Sequence, residues 1–480
     1  MKKIYLIMIA LILLGTANIF AASYASDLEV SPGAINGLGD LPVAISYRLN
    51  DAATNVTVTL YDSGTMTDVR DITGGTARGV NTVYWDGNDD LGANVPVGNY
   101  KAKVRVQSAD SVSTITTTQW YQDVDPDAAS TNPGQCDINK NPQSEHFGHI
   151  YLVHANDGTA NGTPLIYEYP SDMGVPLATG SAQNGDAITS GGADNDASVN
   201  WDENGTVPRH VTVDEDGYVY VGNWYEGGAN ANSLREIMRF DPDLTNGQIV
   251  LGFATNPDFN SPTKSCDVRG TGTDKTIAIC TSSVFGTPKV LLYQDTDGDG
   301  TWTDEEEATS FTLSAAPDDP NATDMNIQLD ADGNIYVCSD EGTNTDDHDV
   351  AKYQPDGTRL WAIGAGDVPN LDFIRSIRLW DGANPEDTSD DVLILDSSLG
   401  SSAGITVVDP ADGSVIDSAQ TWTGWMGLDV VGNVYGIAQL DRYVKMSLIK
   451  GAITDYTTHS LGSVTFNTQV PAELSIFSVE

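Results

Sequence analysis

Basic residues are scarce in this chain. Lysine and arginine total 23 against 68 aspartates and glutamates in 480 residues, a formal charge of -45 at pH 7. A surface of that sign repels phosphate, so nucleic acid and anionic lipid are excluded as partners, and solubility, cation binding or a saline habitat accounts for the acidity. Only six histidines occur, His146, His149, His154, His210, His348 and His459, with no His-x-x-x-His or Cys-His pair at ligand spacing. A Gly-x-Ser-x-Gly elbow and a phosphate loop are also missing, which removes the commonest hydrolase and nucleotide-binding signatures.

Long apolar runs are confined to the amino terminus. Lys2 and Lys3, the run Ile4–Leu14 and the small residues Ser23-Tyr24-Ala25 read as an export signal over residues 1–25, with a mature chain starting near Ser26. The run is too short for a preferred membrane span, so no membrane insertion is expected. The protein is read as secreted, extracellular or cell-surface, with a periplasmic location open. Cysteine is limited to Cys136, Cys266, Cys280 and Cys338. Each stands where related segments carry valine, isoleucine or leucine, the behaviour of a small buried apolar residue. A Cys266–Cys280 bridge stays open, although the two are diagonal in the inferred register.

What is abundant is a repeated hairpin. Residues 211–224 read VTVDEDGYVYVGNW, apolar alternation on both sides of an acidic turn closed by glycine. Related segments begin at Cys136, Cys266, Ile327, Ile377 and Leu428, each followed by a third strand and an Asp/Pro/Gly turn. Six returns at a spacing of roughly 50 to 75 residues predict a six-bladed β-propeller over residues 135–469. Gly462–Thr468 is expected to supply a ring-closing strand, and residues 470–480 a last strand or the start of a further segment. The hairpins resemble those of NHL-type propellers of exported bacterial proteins.

Residues 26–122 form a separate unit, joined by an Asp/Pro-rich linker at 123–134. Strands are predicted at Val43–Leu49, Val56–Tyr61, Asn81–Trp85, Tyr100–Val106 and Ser113–Trp120, an antiparallel sandwich. The fold class is therefore all-β, a small β-sandwich followed by the propeller. Trp85-Asp86-Gly87, the acidic turn Asp89 to Gly92, and Pro96-x-Gly98-x-Tyr100 resemble the immunoglobulin-like domain of FlgD, the flagellar hook-capping protein. Nothing else here resembles hook-assembly sequence, so the resemblance implies a spacer or packing module.

Chemistry concentrates in two places. Residues 295–306, DTDGDGTWTDEE, carry the oxygen pattern of an EF-hand loop: Asp295, Asp297, Asp299 and Glu306 as carboxylate ligands, the Thr301 carbonyl, and Thr303 directly or through water. Gly300 sits at the sharp turn. Without flanking helices, a bound Ca2+ is expected to lock the loop. The second place is the channel mouth, where the residues preceding the first strands include Arg209, His210, Lys264, Asn326 and Arg375. Together these suit a carboxylate or other acidic group, unless each cation pairs with a neighbouring aspartate. The long stretch 181–205 is expected to form a rim loop. Propeller lactonases and phosphotriesterases hold a catalytic calcium on the axis, whereas Asn326 and Gln135 are the neutral oxygen donors at the matching positions here.

These features predict a non-catalytic binding or scaffold protein, with an extracellular glycan or protein as its partner. The alternatives are a propeller hydrolase or lyase acting on sugars, lactones or phosphoesters, and a self-associating fibre or layer subunit.

Overall fold

The computed structural model describes residues 22–108, 116–123, 133–154, 165–174, 178–181, 206–225, 236–252, 265–281, 289–303, 306–313, 325–339, 350–364, 374–382, 389–397, 404–419, 425–437, 443–448 and 452–468. The expected export signal, the rim loop and residues 470–480 lie outside these, apart from the last residues of the signal and Ser181. Among the described residues there is no α-helix, and no helix is long and apolar enough to cross a membrane.

Six four-stranded antiparallel sheets account for the larger part. Their first strands are Pro133–Ile138, Thr206–Val213, Ser265–Thr271, Met325–Leu329, Ile374–Trp380 and Trp425–Leu428. Each lies against the next around a ring, and the last returns to the first. The sheets are called blades 1 to 6 in that order.

The hairpin joining the first two strands explains its own sequence. In blades 2, 4 and 6 the turn aspartate, Asp214, Asp330 or Asp429, accepts backbone N–H bonds across the turn. It also accepts the hydroxyl of a second-strand tyrosine, Tyr220, Tyr336 or Tyr435, at 2.9 to 3.0 Å. Gly217, Gly333 and Gly432 close these turns at φ of 94°, 78° and 91°, where a side chain is strained. The buried Asp214 meets Lys275 of blade 3 at 2.5 Å, and Asp330 meets Lys352 at 3.2 Å. These aspartates also fix the repeat register: Met426, not Leu428, is the counterpart of Val211 and Ile327, a two-residue correction in blade 6.

Two strands exchange the places expected from the sequence. Thr116–Asp123 leaves the sandwich and pairs with Tyr443–Leu448 as the fourth strand of blade 6, so the ring is closed by residues that precede blade 1. The chain after blade 6 returns to the sandwich. There Asp455–His459 and Val464–Phe466 both pair with Gly98–Gln107. An alternating segment specifies a face to bury and not the edge it pairs with, so the pattern was right and the partner wrong. The propeller boundary at 469 is corrected accordingly.

The sandwich core joins Trp85, Tyr100 and Phe466, whose ring centroids lie 5.1 to 5.5 Å apart. Tyr100 and Trp85 also hold the acidic turn, through Tyr100 Oη to Pro96 O and Trp85 Nε1 to Asn88 O. The amino-terminal residues wedge between both domains. Ala22 N donates to Asn433 Oδ1 of blade 6 at 3.1 Å, and Tyr24 N donates to Asn50 Oδ1 at 2.9 Å. Tyr24 is wholly buried against Phe147 and Tyr456. These bonds involve Ala22 and Tyr24, which a chain starting at Ser26 would not contain.

All four cysteines are free and buried. Cys266 pairs with Ile279 while Cys280 pairs with Ser265. Adjacent residues on a strand point to opposite faces, which places Cys266 and Cys280 in different apolar clusters and rules out a bridge between them.

Candidate functional site

First strands of neighbouring blades share no backbone ladder, so their inward N–H groups need other acceptors. Side chains supply them. Asp137 Oδ2 accepts from Val213 N, Asp267 Oδ2 from Leu329 N, Gln328 Oε1 from Leu379 N, Ser265 Oγ from Ile327 N and Ser376 Oγ from Met426 N. Each bond crosses from one blade to the next. The polar residues interrupting otherwise apolar first strands thus stitch the ring together.

Arg378 closes the axis. It is 2% exposed, and its Nε donates to Met426 O at 3.0 Å while Nη2 donates to Cys136 O and Val211 O, each at 3.1 Å. With its oxygen turned to the guanidinium, the Gln135 amide also accepts from Arg378 Nη1 at 3.0 Å and donates to His210 Nε2 at 2.7 Å. Burial and the neighbouring Arg378 charge hold the His210 pKa well below its ordinary value, so this imidazole is neutral. Gly427 lets the ring close tightly here: a Cβ would meet Cys136 O at 2.9 Å and Ile138 Cδ1 at 2.7 Å.

Of the predicted mouth residues, the structure brings His210 and Asn326 into this buried layer beside Gln135. Arg209 sits at a β-bulge between Pro208 and His210, half-buried and with partners of its own. Arg375 occupies the corresponding bulge in blade 5. Its side chain and all of Lys264 lie outside the described residues. The axial cation is Arg378, three positions beyond Arg375, and sequence reasoning missed it. A signal existed: Asp137, Thr212, Asp267, Gln328, Arg378 and Gly427 all follow the shared apolar position, so polar character recurs at one register.

Above Arg378, on the side of the first hairpins, the channel opens into a funnel of about 800 Å3. Asp137, Thr212, Asp267, Gln328 and Arg378 line its inner end, and the hairpin turns form its wall. Asp137 is 4% exposed, and its Oδ1 has no hydrogen-bond partner. Burial raises the Asp267 carboxyl to about 6, against the lowering effect of Leu329 N–H and of Arg378. The segments joining successive blades, and those joining second to third strands, lie outside the described residues.

The acidic loop 295–306 joins Lys289–Gln294 to Glu307–Thr312 on the outer edge of blade 3. Carboxylate oxygens of Asp295, Asp297 and Glu306 all lie within 4.8 Å of one another. Three hard anionic oxygens at that separation fit a calcium ion. Asp299 is exposed and stands outside the group, its Oδ1 taken by Thr301 N and Oγ1. Thr303 contributes N–H and Oγ1 to Glu306 Oε2. Burial raises the Glu306 pKa, but N–H bonds from Thr296 and Thr303 outweigh it and hold it below the ordinary value. Trp302 anchors the loop, its backbone N–H donating to Val250 O at 2.8 Å and its ring packing on Tyr220 of blade 2.

A second cluster joins the domains. His149 Nδ1 and His146 Nδ1 each lie 2.6 Å from Glu168 Oε1, and His149 Nε2 lies 2.7 Å from Asp27 Oδ1. Arg48 spans the same junction, at 2.7 Å from Asp27 and 3.0 Å from Asp172. His146, His149 and Glu168 each place one ligand atom within 4.8 Å of the others, and these atoms already serve the hydrogen bonds just named.

Among curated proteins, none matches the chain in sequence. Among solved structures, FlgD from P. aeruginosa is similar at 26% identity over 19% of this chain and 62% of that chain, with a TM-score of 0.15. The chain thus spans under two thirds of that protein. The Dos1 propeller aligns over 94% of this chain and 96% of that one at 10% identity and a TM-score of 0.36. The propeller domain of the Trilobed protease from Pyrococcus furiosus, described as having an open velcro topology, aligns over 64% and 78% at 8% identity and a TM-score of 0.32. Scores this low carry no functional argument, and the blade architecture stands on the strand pairing itself. Residues 33–110 match the family model of the FlgD Ig-like domain.

Proposed function

We propose that this chain is an exported, non-catalytic binding or scaffold protein, a six-bladed propeller of the NHL type that takes an extracellular glycan or protein and is braced by one calcium ion. The observation that carries the reading is Arg378. Its guanidinium fills the axis with its donors committed to Met426 O, Cys136 O, Val211 O and Gln135, where it repels any cation at that point. An axial calcium of the lactonase kind would have to sit against this guanidinium charge. The interlocked chain path further favours a rigid scaffold, since blade 6 and the sandwich each borrow strands from beyond their own segment.

Asp295, Asp297 and Glu306 would hold the calcium, which supplies charge neutralisation to a loop otherwise self-repelling. Its role would be structural, fixing the outer edge of blade 3 against Trp302 and Val250. The test is the melting temperature with calcium and with chelator, alongside turnover of lactone, phosphoester and glycoside panels. A calcium-dependent rise abolished by Asp297→Asn, with no turnover, is expected. Chelator-sensitive turnover lost in His210→Ala would replace this reading with the hydrolase one.

A further inference from the structure

We propose that His146, His149 and Glu168 of blade 1 form a binding site for a divalent transition-metal ion of the zinc class, which locks the propeller to the sandwich through Asp27. The site is separate from the acidic loop at 295–306 and does not depend on calcium there.

Two imidazoles of blade 1 aim at one point. His146 and His149 stand on the turn that leads into Ile150–His154, and Glu168 lies on the neighbouring strand Leu165–Tyr169. Both Nδ1 atoms lie 2.6 Å from the same oxygen, Glu168 Oε1, and the two rings are nearly perpendicular at 84°. The turn itself is held from outside. Gly148 has a φ of 80°, and a Cβ there would meet Tyr24 Cε2 at 2.7 Å. Two imidazole nitrogens and one carboxylate oxygen within 4.8 Å are a ligand set for zinc, three protein atoms with a fourth position left for water. Calcium takes oxygen ligands and matches two imidazoles poorly. A rotation of the Glu168 carboxylate opens the point of convergence to the ion and leaves Glu168 as the third ligand. That ligand lies 19 residues beyond His149, so sequence spacing did not mark the set.

Asp27 is an independent sign. A metal-binding imidazole ordinarily donates its other ring N–H to a carboxylate, which fixes the tautomer and aims the ring. His149 does so: Nε2 lies 2.7 Å from Asp27 Oδ1, and Asp27 is itself held by Arg48 at 2.7 Å. With Nε2 carrying its proton for Asp27, Nδ1 is the nitrogen left to offer a lone pair. Asp27 reaches across from a bulge in Ala25–Ser31 at a φ of 48°, a left-handed conformation that few side chains adopt.

The ion also has a way in. His149 and Glu168 are buried, but the His146 side chain is 27% exposed and borders a groove of about 730 Å3. That groove carries five carboxylates against two cations, Arg239 and Lys275, and Lys275 is already paired with Asp214 and Asp216. A field of that sign draws cations toward His146. The ion takes the place of the protons that the two Nδ1 atoms otherwise share with Glu168, so any titration of His149 belongs to the chelator-treated protein.

The experiment strips the full chain with chelator, saturates it with calcium to occupy the acidic loop and the surface carboxylates, and then titrates Zn2+ by calorimetry and Co2+ as a visible probe. One Zn2+ per chain is expected, with Co2+ giving the intense bands of a four-coordinate site. His146→Gln, a partly exposed change, should lower zinc affinity at least about tenfold while the chelator-treated protein still melts cooperatively, and Glu168→Gln should do the same. Asp27→Asn should lower it about tenfold or more by releasing the His149 ring. Asp297→Asn should leave zinc binding unaltered. Should Glu168→Gln or Asp27→Asn fail to fold, His146→Gln carries the test by itself. Absence of a one-to-one zinc site, the weak bands of six-coordinate Co2+, or zinc binding untouched by His146→Gln overturns the proposal. Zinc binding lost in Asp297→Asn would put the ion in the acidic loop and overturn it as well.

Discussion

His149 of blade 1 and Asp27 of the sandwich are 2.7 Å apart, Nε2 to Oδ1, while the other ring nitrogen of His149 reaches Glu168. The imidazole is thus gripped from both domains by acids. Burial alone would lower its pKa, but the hydrogen bonds it donates to Asp27 and Glu168 outweigh burial and raise it to about 9. Burial pushes Asp27 and Glu168 upward as well, and their histidine partners more than reverse it, so both carboxyls end below their ordinary values.

That relationship sets a pH window. A histidine with a folded pKa of about 9 stabilises fully below its unfolded value of about 6.5, and this contribution disappears as pH rises through 9. The two depressed carboxyls contribute above about pH 4 and lose their effect as pH falls through their lowered folded values. Stability should therefore fall on the alkaline side between about pH 6.5 and 9, by roughly 2 kcal/mol. In urea titrations across that range, His149→Gln should flatten the slope; an unchanged slope would place the alkaline titration elsewhere.

Removing Arg378 should be among the most damaging single changes in the propeller. Arg378→Leu leaves the carbonyls of Met426, Cys136 and Val211 without their donor in a dry ring, at a cost on the order of 3 kcal/mol or more. The urea midpoint of the propeller transition reads this directly. A loss below about 1 kcal/mol would mean that water enters the axis and takes over the donors' role.

The carboxy-terminal strands should be indispensable to the sandwich. Phe466 packs on Trp85 and Tyr100, and Val464–Phe466 pairs with the start of Gly98–Gln107. Phe466→Ala should cost about 3 to 5 kcal/mol. A fragment of residues 22–122 is expected to lack the dispersed near-ultraviolet and NMR signatures of a packed core, and supplying 452–468 in the same chain should restore them.

The thiols should be silent until the protein opens. Burial raises the Cys136 pKa to about 12, and it raises those of Cys266 and Cys280 further still. A thiol reagent should titrate none in native buffer and four in denaturant, with no dependence on prior reduction. Two thiols in denaturant before reduction would show a disulfide that the strand register forbids.

Alternation and the Asp-x-x-Gly turns of residues 211–224 and 327–340 determined the hairpins, because each is a local contract between an aspartate, a glycine and a tyrosine a few residues away. At 295–306 the fixed spacing of acids and glycines marked a turn, while only the folded loop separated Asp295, Asp297 and Glu306 from Asp299. The Trp85 to Tyr100 turn was legible too, from the same kind of spacing. Which sheet a strand joins was not local. Thr116–Asp123 and Val464–Phe466 satisfy the same two-residue period, and only the closed ring and its geometry decided that the first serves blade 6 and the second the sandwich. Arg378 shows the same division. Sequence marks it as a cation on an apolar strand, but three carbonyls contributed by residues 136, 211 and 426 converge only when six blades meet at one axis. Long-range closure brings distant backbone groups together, and no segment read by itself contains that information.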